Sequence, residues 1–184
     1  AGEDHLLGSI GKPACGVDLR LCDDDLKDVA QGAVGEIVTR SDCVMSGYLD
    51  QPEATAQVLV DGWFRGGDLA RADEEGFLYL AGRRRDMIIR GGENIYPLEI
   101  EHVLAAVPGI REAAVVGVPD EHWGETVRAH VVLEQGAVFD EAATRELLRA
   151  RLAGYKVPAA YAVMAELPRN ASGKVLKRVL RDLP

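Results

Sequence analysis

Alternation of apolar and polar side chains dominates the first half of the chain. Val17, Leu19 and Leu21 alternate with Asp18 and Arg20, and Gly35 to Thr39 is rich in β-forming residues. Gly66 to Ala72 and Gly76 to Leu80 flank Asp73-Glu74-Glu75 as the arms of a hairpin would. A single helix is expected among these strands, from Pro52 to Val60 with Glu53 in its first turn. Past the turn at Gly82 to Asp86 the period changes: Ile100, Val103, Leu104 and Val107 recur at helical spacing after Pro97, until Pro108-Gly109 stops them. Strands are expected from Glu112 to Val118, from Val127 to Leu133 and from Tyr161 to Met164. Asp140 is placed to cap a helix running through Leu152, with Leu147, Leu148 and Leu152 on one side. A final helix is expected from Lys174 to Leu183, with Val175, Leu176, Val179 and Leu180 as its apolar positions. The fold class is therefore α/β of the α+β kind, a β-rich region followed by a small mixed α+β domain.

Composition narrows the function classes. The chain has 184 residues, 47% of them hydrophobic and 28% charged, an ordinary balance for one domain or two small ones. No apolar run approaches the ~20 residues of a membrane span, and the N-terminus lacks a basic-then-apolar signal, so the cytoplasm is the expected compartment. A net charge of -9 argues against generic nucleic-acid binding. Basic residues nevertheless gather at residues 83–90 and at Arg169, Lys174, Lys177, Arg178 and Arg181, so a local anion site can coexist with an acidic whole. Cys15, Cys22 and Cys43 have no Cys-x-x-Cys spacing, and His5, His102, His122 and His130 have no ligand spacing, so no protein-bound metal is expected.

The richest window is Gly82-Arg83-Arg84-Arg85-Asp86-Met87-Ile88-Ile89-Arg90-Gly91-Gly92-Glu93-Asn94-Ile95-Tyr96-Pro97. A basic cluster leads into an apolar strand and then into two glycines whose amides, with that of Glu93, could form a nest for an anion. Three other segments stand in order around it: Gly47-Tyr48-Leu49-Asp50-Gln51-Pro52-Glu53-Ala54-Thr55, Gly62-Trp63-Phe64-Arg65-Gly66-Gly67-Asp68, and Pro168-Arg169-Asn170-Ala171-Ser172-Gly173-Lys174. Together they resemble the adenylate-forming superfamily: acyl-CoA synthetases, luciferase-like enzymes and adenylation domains of nonribosomal peptide synthetases. The Ser/Thr/Gly-rich phosphate loop and the Tyr-Gly-x-Thr-Glu motif of that family are not found here. The chain thus reads as the C-terminal part of a longer enzyme that begins after them and is not a complete catalyst by itself.

The resemblance implies residues 1–82 as the last β subdomain of a large N-terminal domain, residues 83–86 as a hinge, and residues 87–184 as a mobile C-terminal domain. It implies ATP, with Mg2+, and CoA as substrates beside a carboxylic acid, and the missing N-terminal domain as partner. Asp68 matches the aspartate on the ribose hydroxyls, although Gly66-Gly67 stands where Thr-Gly is usual. Arg83 matches the arginine beside ribose and phosphate, and Asn94 lies where the family reaches toward the adenylate. Arg85 occupies the hinge, and Lys174, on a loop read as flexible through Ser172 and Gly173, is the expected adenylation residue. Gly91, Gly92 and Glu93 match the loop beside the pantetheine tunnel, Trp123 an aromatic lining it, and Tyr155 and Lys156 the segment at the CoA nucleotide. With Val157 and Ala159 not basic, Lys156 would hold those phosphates alone. Gly91-Gly92-Glu93-Asn94-Ile95-Tyr96-Pro97 and His122-Trp123-Gly124-Glu125 favour a CoA ligase for fatty or aromatic acids. The alternatives are an adenylation domain that loads a carrier protein, and a standalone nucleotide-binding module.

Overall fold

The computed structural model describes residues 6–183; His5 lies outside them. Contacts divide the chain into two compact units, Ala1–Arg85 and Asp86–Pro184.

In the first unit, β1 (Asp18–Cys22) pairs antiparallel with β2 (Gly35–Arg40), and β2 pairs with the long β4 (Trp63–Ala72). The helix α1 (Pro52–Val58) is shorter than the spacing predicts, because Leu59 and Val60 leave it to form β3 (Leu59–Val60) against Trp63 and Phe64. Asp61 and Gly62 turn that hairpin with φ of +51° and +78°, the double positive φ that an Asp-Gly turn supplies. β4 therefore starts at Trp63 instead of Gly66. The last strand, β5 (Leu78–Arg83), begins after the loop and runs further than expected. Gly76 belongs to a turn closed by Asp73, whose carboxylate accepts from the amides of Glu75 and Phe77. Cys22, Val38, Leu69, Ala70 and Leu78 fill the core.

A 3-10 turn, Arg84–Asp86, spans the boundary between the units and carries the chain into β6 (Ile88–Arg90) and β7 (Glu93–Ile95) of the second. Helix α2 (Pro97–Leu104) ends a turn earlier than its spacing suggests, because Ala106 and Val107 bond three residues back and tighten the end. Val107 still reaches the core. β8 (Ile110–Asp120) and β9 (Gly124–Leu133) form a long antiparallel hairpin, extended beyond the apolar runs because Thr126, Glu125 and Gly124 continue to pair with Val118, Pro119 and Asp120. Helix α3 (Glu141–Arg151) is capped as read, with the Asp140 carboxylate accepting from the Ala143 amide at 2.9 Å. β10 (Ala160–Met164) lies parallel to β9. The final helix is only α4 (Lys177–Arg181), since Lys174 and Val175 are held in a turn before it.

Both faces of this second sheet are covered, which explains the unbroken apolar run from Ala113 to Val116 in β8. Val115, Ala129 and Val131 face one core with Ile100, Leu104 and Leu148, whereas Ala114, Val116 and Val132 face another with Leu167 and Leu180. His130 is also buried, and neither ring nitrogen finds a hydrogen bond of normal geometry. Burial lowers its pKa, and the Arg128 charge lowers it further. In the unfolded chain it titrates near ~6.5, so as pH falls below that value the unfolded state takes the proton first and stability drops. Urea melts between pH 7.5 and ~5.5 are expected to show this loss. His130→Leu should flatten the slope, and an unchanged slope would remove His130 as its source.

Candidate functional site

In the first unit the β4–β5 ladder sets Asp68 directly opposite Arg83, and their side chains form an ion pair at 3.1 Å. Both are nearly half exposed, so the pair is screened and contributes little stability. Its effect is to hold a carboxylate and a guanidinium side by side at the surface. A cleft of ≈770 Å³ lies beside Gly66, Gly67, Arg83 and Arg85, and at its floor Glu36 is only 4% exposed. Burial alone would raise the Glu36 carboxyl, but Arg65 at 2.6 Å and Arg84 at 3.0 Å hold it below the usual range. Sequence reasoning missed Glu36 as a structural acid. The signal was there, since it shares the inward side of β2 with fully buried Val38.

In the second unit the two glycines form a tight turn. Gly91 and Gly92, with φ of +59° and +87°, are the two-residue turn joining β6 to β7, and the Gly91 amide donates to the Trp123 carbonyl at 2.9 Å. Glycine is required at residue 91 for space as well: a Cβ there would stand 2.8 Å from Trp123 Cε3. Glu93 closes the turn opposite Arg90. The Gly91 amide of the expected nest is thus taken by the Trp123 carbonyl, and this glycine packs edge-on against the indole.

Trp123 sits on the loop between β8 and β9, where the Asp120 carboxylate accepts from the amides of His122 and Trp123 at 3.0 and 2.9 Å. Those two bonds hold the Asp120 carboxyl below its ordinary range. The indole is 43% exposed, with the Arg90 guanidinium 4.8 Å from its centre and the His122 ring edge-on at 4.5 Å. It is a surface aromatic held on three sides, not a core residue. Arg90 also reaches the Tyr155 carbonyl, which joins Tyr155 to the same corner. Lys156 has an acidic partner: its ammonium contacts both Glu99 oxygens, at 2.7 and 2.9 Å. An opposing carboxylate at that distance competes with a phosphate for the ammonium. Asn94 is exposed on β7, opposite Ile89.

The loop carrying Lys174 is not flexible in the way Ser172 and Gly173 suggest. Asn170 Oδ1 accepts from the Ser172 amide, the Ser172 hydroxyl and the Lys174 amide, and Asn170 N donates to the Lys174 carbonyl. Arg169 is bound to Glu112 and donates to the Gly173 carbonyl. The backbone is pinned, while the Lys174 side chain remains exposed. Because Arg169 is tied to Glu112 near one end of β8 and Trp123 follows its other end, eight strand residues separate the two places. At ~3.3 Å per residue that is roughly 26 Å. Among the described residues, no group of three or more His, Cys, Asp or Glu could hold a metal ion, and no helix is long and apolar enough to cross a membrane.

Two family signatures match this chain: the AMP-binding enzyme family over residues 1–49 and the AMP-binding enzyme C-terminal domain over residues 99–174. The chain belongs to the AMP-binding, adenylate-forming enzymes. It is 50% identical to the 2-succinylbenzoate–CoA ligase of Geobacillus kaustophilus, covering 96% of this chain and 36% of that protein. Among solved structures, the amide bond synthetase McbA of Marinactinospora thermotolerans is 42% identical with a TM-score of 0.91, over 96% of this chain and 36% of that one. The o-succinylbenzoate CoA synthetase of Bacillus subtilis, bound to its acyl-adenylate, gives 39% and 0.90, over 98% and 37%. This AMP-binding family chain thus spans a little over a third of the length of the proteins it matches, in the mixed α and β architecture they share.

Proposed function

We propose that the chain is the C-terminal portion of an ATP-dependent acid–thiol ligase, which joins a carboxylic acid to ATP, releases pyrophosphate, and passes the acyl group from AMP to CoA. The observation that carries this reading is the placing of two chemically different corners at opposite ends of the β8–β9 hairpin, with the turn Arg84–Asp86 at the boundary where that unit begins. One corner bears the exposed cation Lys174, suited to the negative charge that grows as carboxylate attacks phosphorus. The other bears Trp123 against Gly91, an apolar edge suited to a pantetheine arm. Asp68 and Arg83 would hold the ribose and Asn94 would face the adenylate; ATP would bring its own Mg2+. Corners separated by roughly 26 Å along β8 would need a rotation to serve one reaction centre in turn, and Arg85 is the pivot this reading assigns.

A second reading concerns the acceptor. Likeness to an amide bond synthetase, together with the Glu99 carboxylate beside Lys156, is the ground for an amine or a carrier-borne thiol as the alternative to free CoA. The test is to supply the full-length protein with ATP and a panel of aryl and alkyl carboxylic acids, then compare CoA, a pantetheinylated carrier protein and a primary amine as acceptors. Acyl-CoA formed at a rate at least about tenfold above the others supports the first reading. Product with the carrier or the amine only would replace it, and no AMP release with any acid would reject both.

A further inference from the structure

The turn proposed as a pivot has an ion-pair anchor on each side of it. Arg84, the residue before Arg85, is held within the first unit by Glu36 at 3.0 Å and Asp24 at 2.6 Å. Glu36 is itself buried and fixed by Arg65, so this anchor rests on the β2–β4 ladder and not on a mobile side chain. Asp86, the residue after Arg85, is held within the second unit by Arg181 at 3.2 Å, with the Asp86 side chain largely buried. Arg181 lies one turn along α4 from Lys177, whose ammonium meets Glu101 at 2.6 Å. Glu101 also accepts from the Val115 amide of β8, so α4 is seated on a helix and a strand at once. Beyond the anchors the backbone is already committed: Arg83 pairs with Asp68 in one sheet and Ile88 with Ile95 in the other.

We infer that Arg84 and Asp86 are positioning residues that clamp the chain to either unit and so confine domain rotation to the backbone bonds about residue 85. This rests on the pivot reading above and adds to it a mechanism for sharpness. A turn with loose flanks would spread the rotation over several residues and leave many orientations. A turn clamped on both sides has few soft dihedrals, so the two orientations are discrete. The second anchor has a further consequence. Its cation sits on the helix that starts three residues after Lys174, so the part of the second unit that holds residue 86 is the part that delivers the adenylation lysine.

The clamp is tested in the full-length protein with spin labels at Leu49→Cys and Val138→Cys, exposed positions in the two units, other cysteines being replaced by serine. Label-to-label distances are recorded with and without ATP. Wild type should show two separated distance populations, and Arg85→Pro should deplete one of them about tenfold or more. Adding Arg181→Gln to Arg85→Pro should return the depleted population several-fold and broaden the distribution, because residue 86 is then free to share the rotation. The exchange of Asp86→Arg with Arg181→Asp keeps an ion pair, so on the Arg85→Pro background it should keep the block. A block that persists unchanged with Arg181→Gln overturns the clamp and leaves the pivot standing. A single distance in wild type, or two undisturbed populations in Arg85→Pro, removes the pivot and the clamp with it. Thermal unfolding of each variant checks that the labelled proteins are folded. If Arg181→Gln does not fold, the exchange variant decides alone: loss of the block there overturns the clamp.

Discussion

Lys174→Ala, made in the full-length protein, is expected to slow acyl-adenylate formation by about 10²–10³-fold, the usual cost of removing one fixed charge or donor from a reacting oxygen. In free-energy terms this is roughly 3–4 kcal/mol of transition-state stabilisation. The prediction follows from how the loop is built. Three bonds to Asn170 Oδ1 and the Arg169 bond to the Gly173 carbonyl fix the backbone, so only the side chain needs to search for its target. A pinned backbone lowers the entropy lost on reaching the reacting atoms. Pyrophosphate release measures the first half-reaction, and transfer from a supplied acyl-adenylate measures the second. Loss confined to the first step supports the role of Lys174, and equal loss in both would refute it. Asn170→Ala should slow the first step too, because it unpins the loop while leaving the cation in place.

What could be read in the sequence depended on whether the signal was local. Helix α3 announced itself through Asp140 and the Leu147, Leu148, Leu152 spacing, and the apolar runs of β8 and β9 marked strands, whose burial on both faces only the structure shows. Turn chemistry was harder. Asp61-Gly62 is a strong hairpin signal, yet Leu59 and Val60 also continue a helical pattern, and only the tertiary pairing with Trp63 and Phe64 decides between them. Gly91-Gly92 reads as an anion nest from the sequence, and the partner of the Gly91 amide, the Trp123 carbonyl, lies thirty-two residues away where no local signal reaches. Of the site, Asp68 and Arg83 could be placed by motif, and the structure brings them into contact. The partners that neutralise or fix the charges could not be placed. Nothing local pairs Lys156 with Glu99, Lys177 with Glu101 or Arg181 with Asp86, because each is a long-range pair between separate elements.

Arg85→Pro is the variant expected to separate the two half-reactions most cleanly in the other direction. Proline fixes φ near -65° and removes the amide, so the backbone at residue 85 can no longer turn between two orientations. Adenylate formation should be retained if the orientation proline permits is the one that presents Lys174. Transfer to the thiol, proposed to use the Trp123 corner some 26 Å away along β8, should fall about 10²-fold or more. The preceding residue is also affected, since proline disfavours helical dihedrals at Arg84, which lies in the 3-10 turn. Arg85→Gly distinguishes backbone from side chain: it removes the guanidinium but leaves every dihedral accessible. Transfer that survives in Arg85→Gly and fails in Arg85→Pro assigns the function to the backbone at this position. Equal failure in both would assign it to the guanidinium, and full activity in both would mean that the domain turns elsewhere.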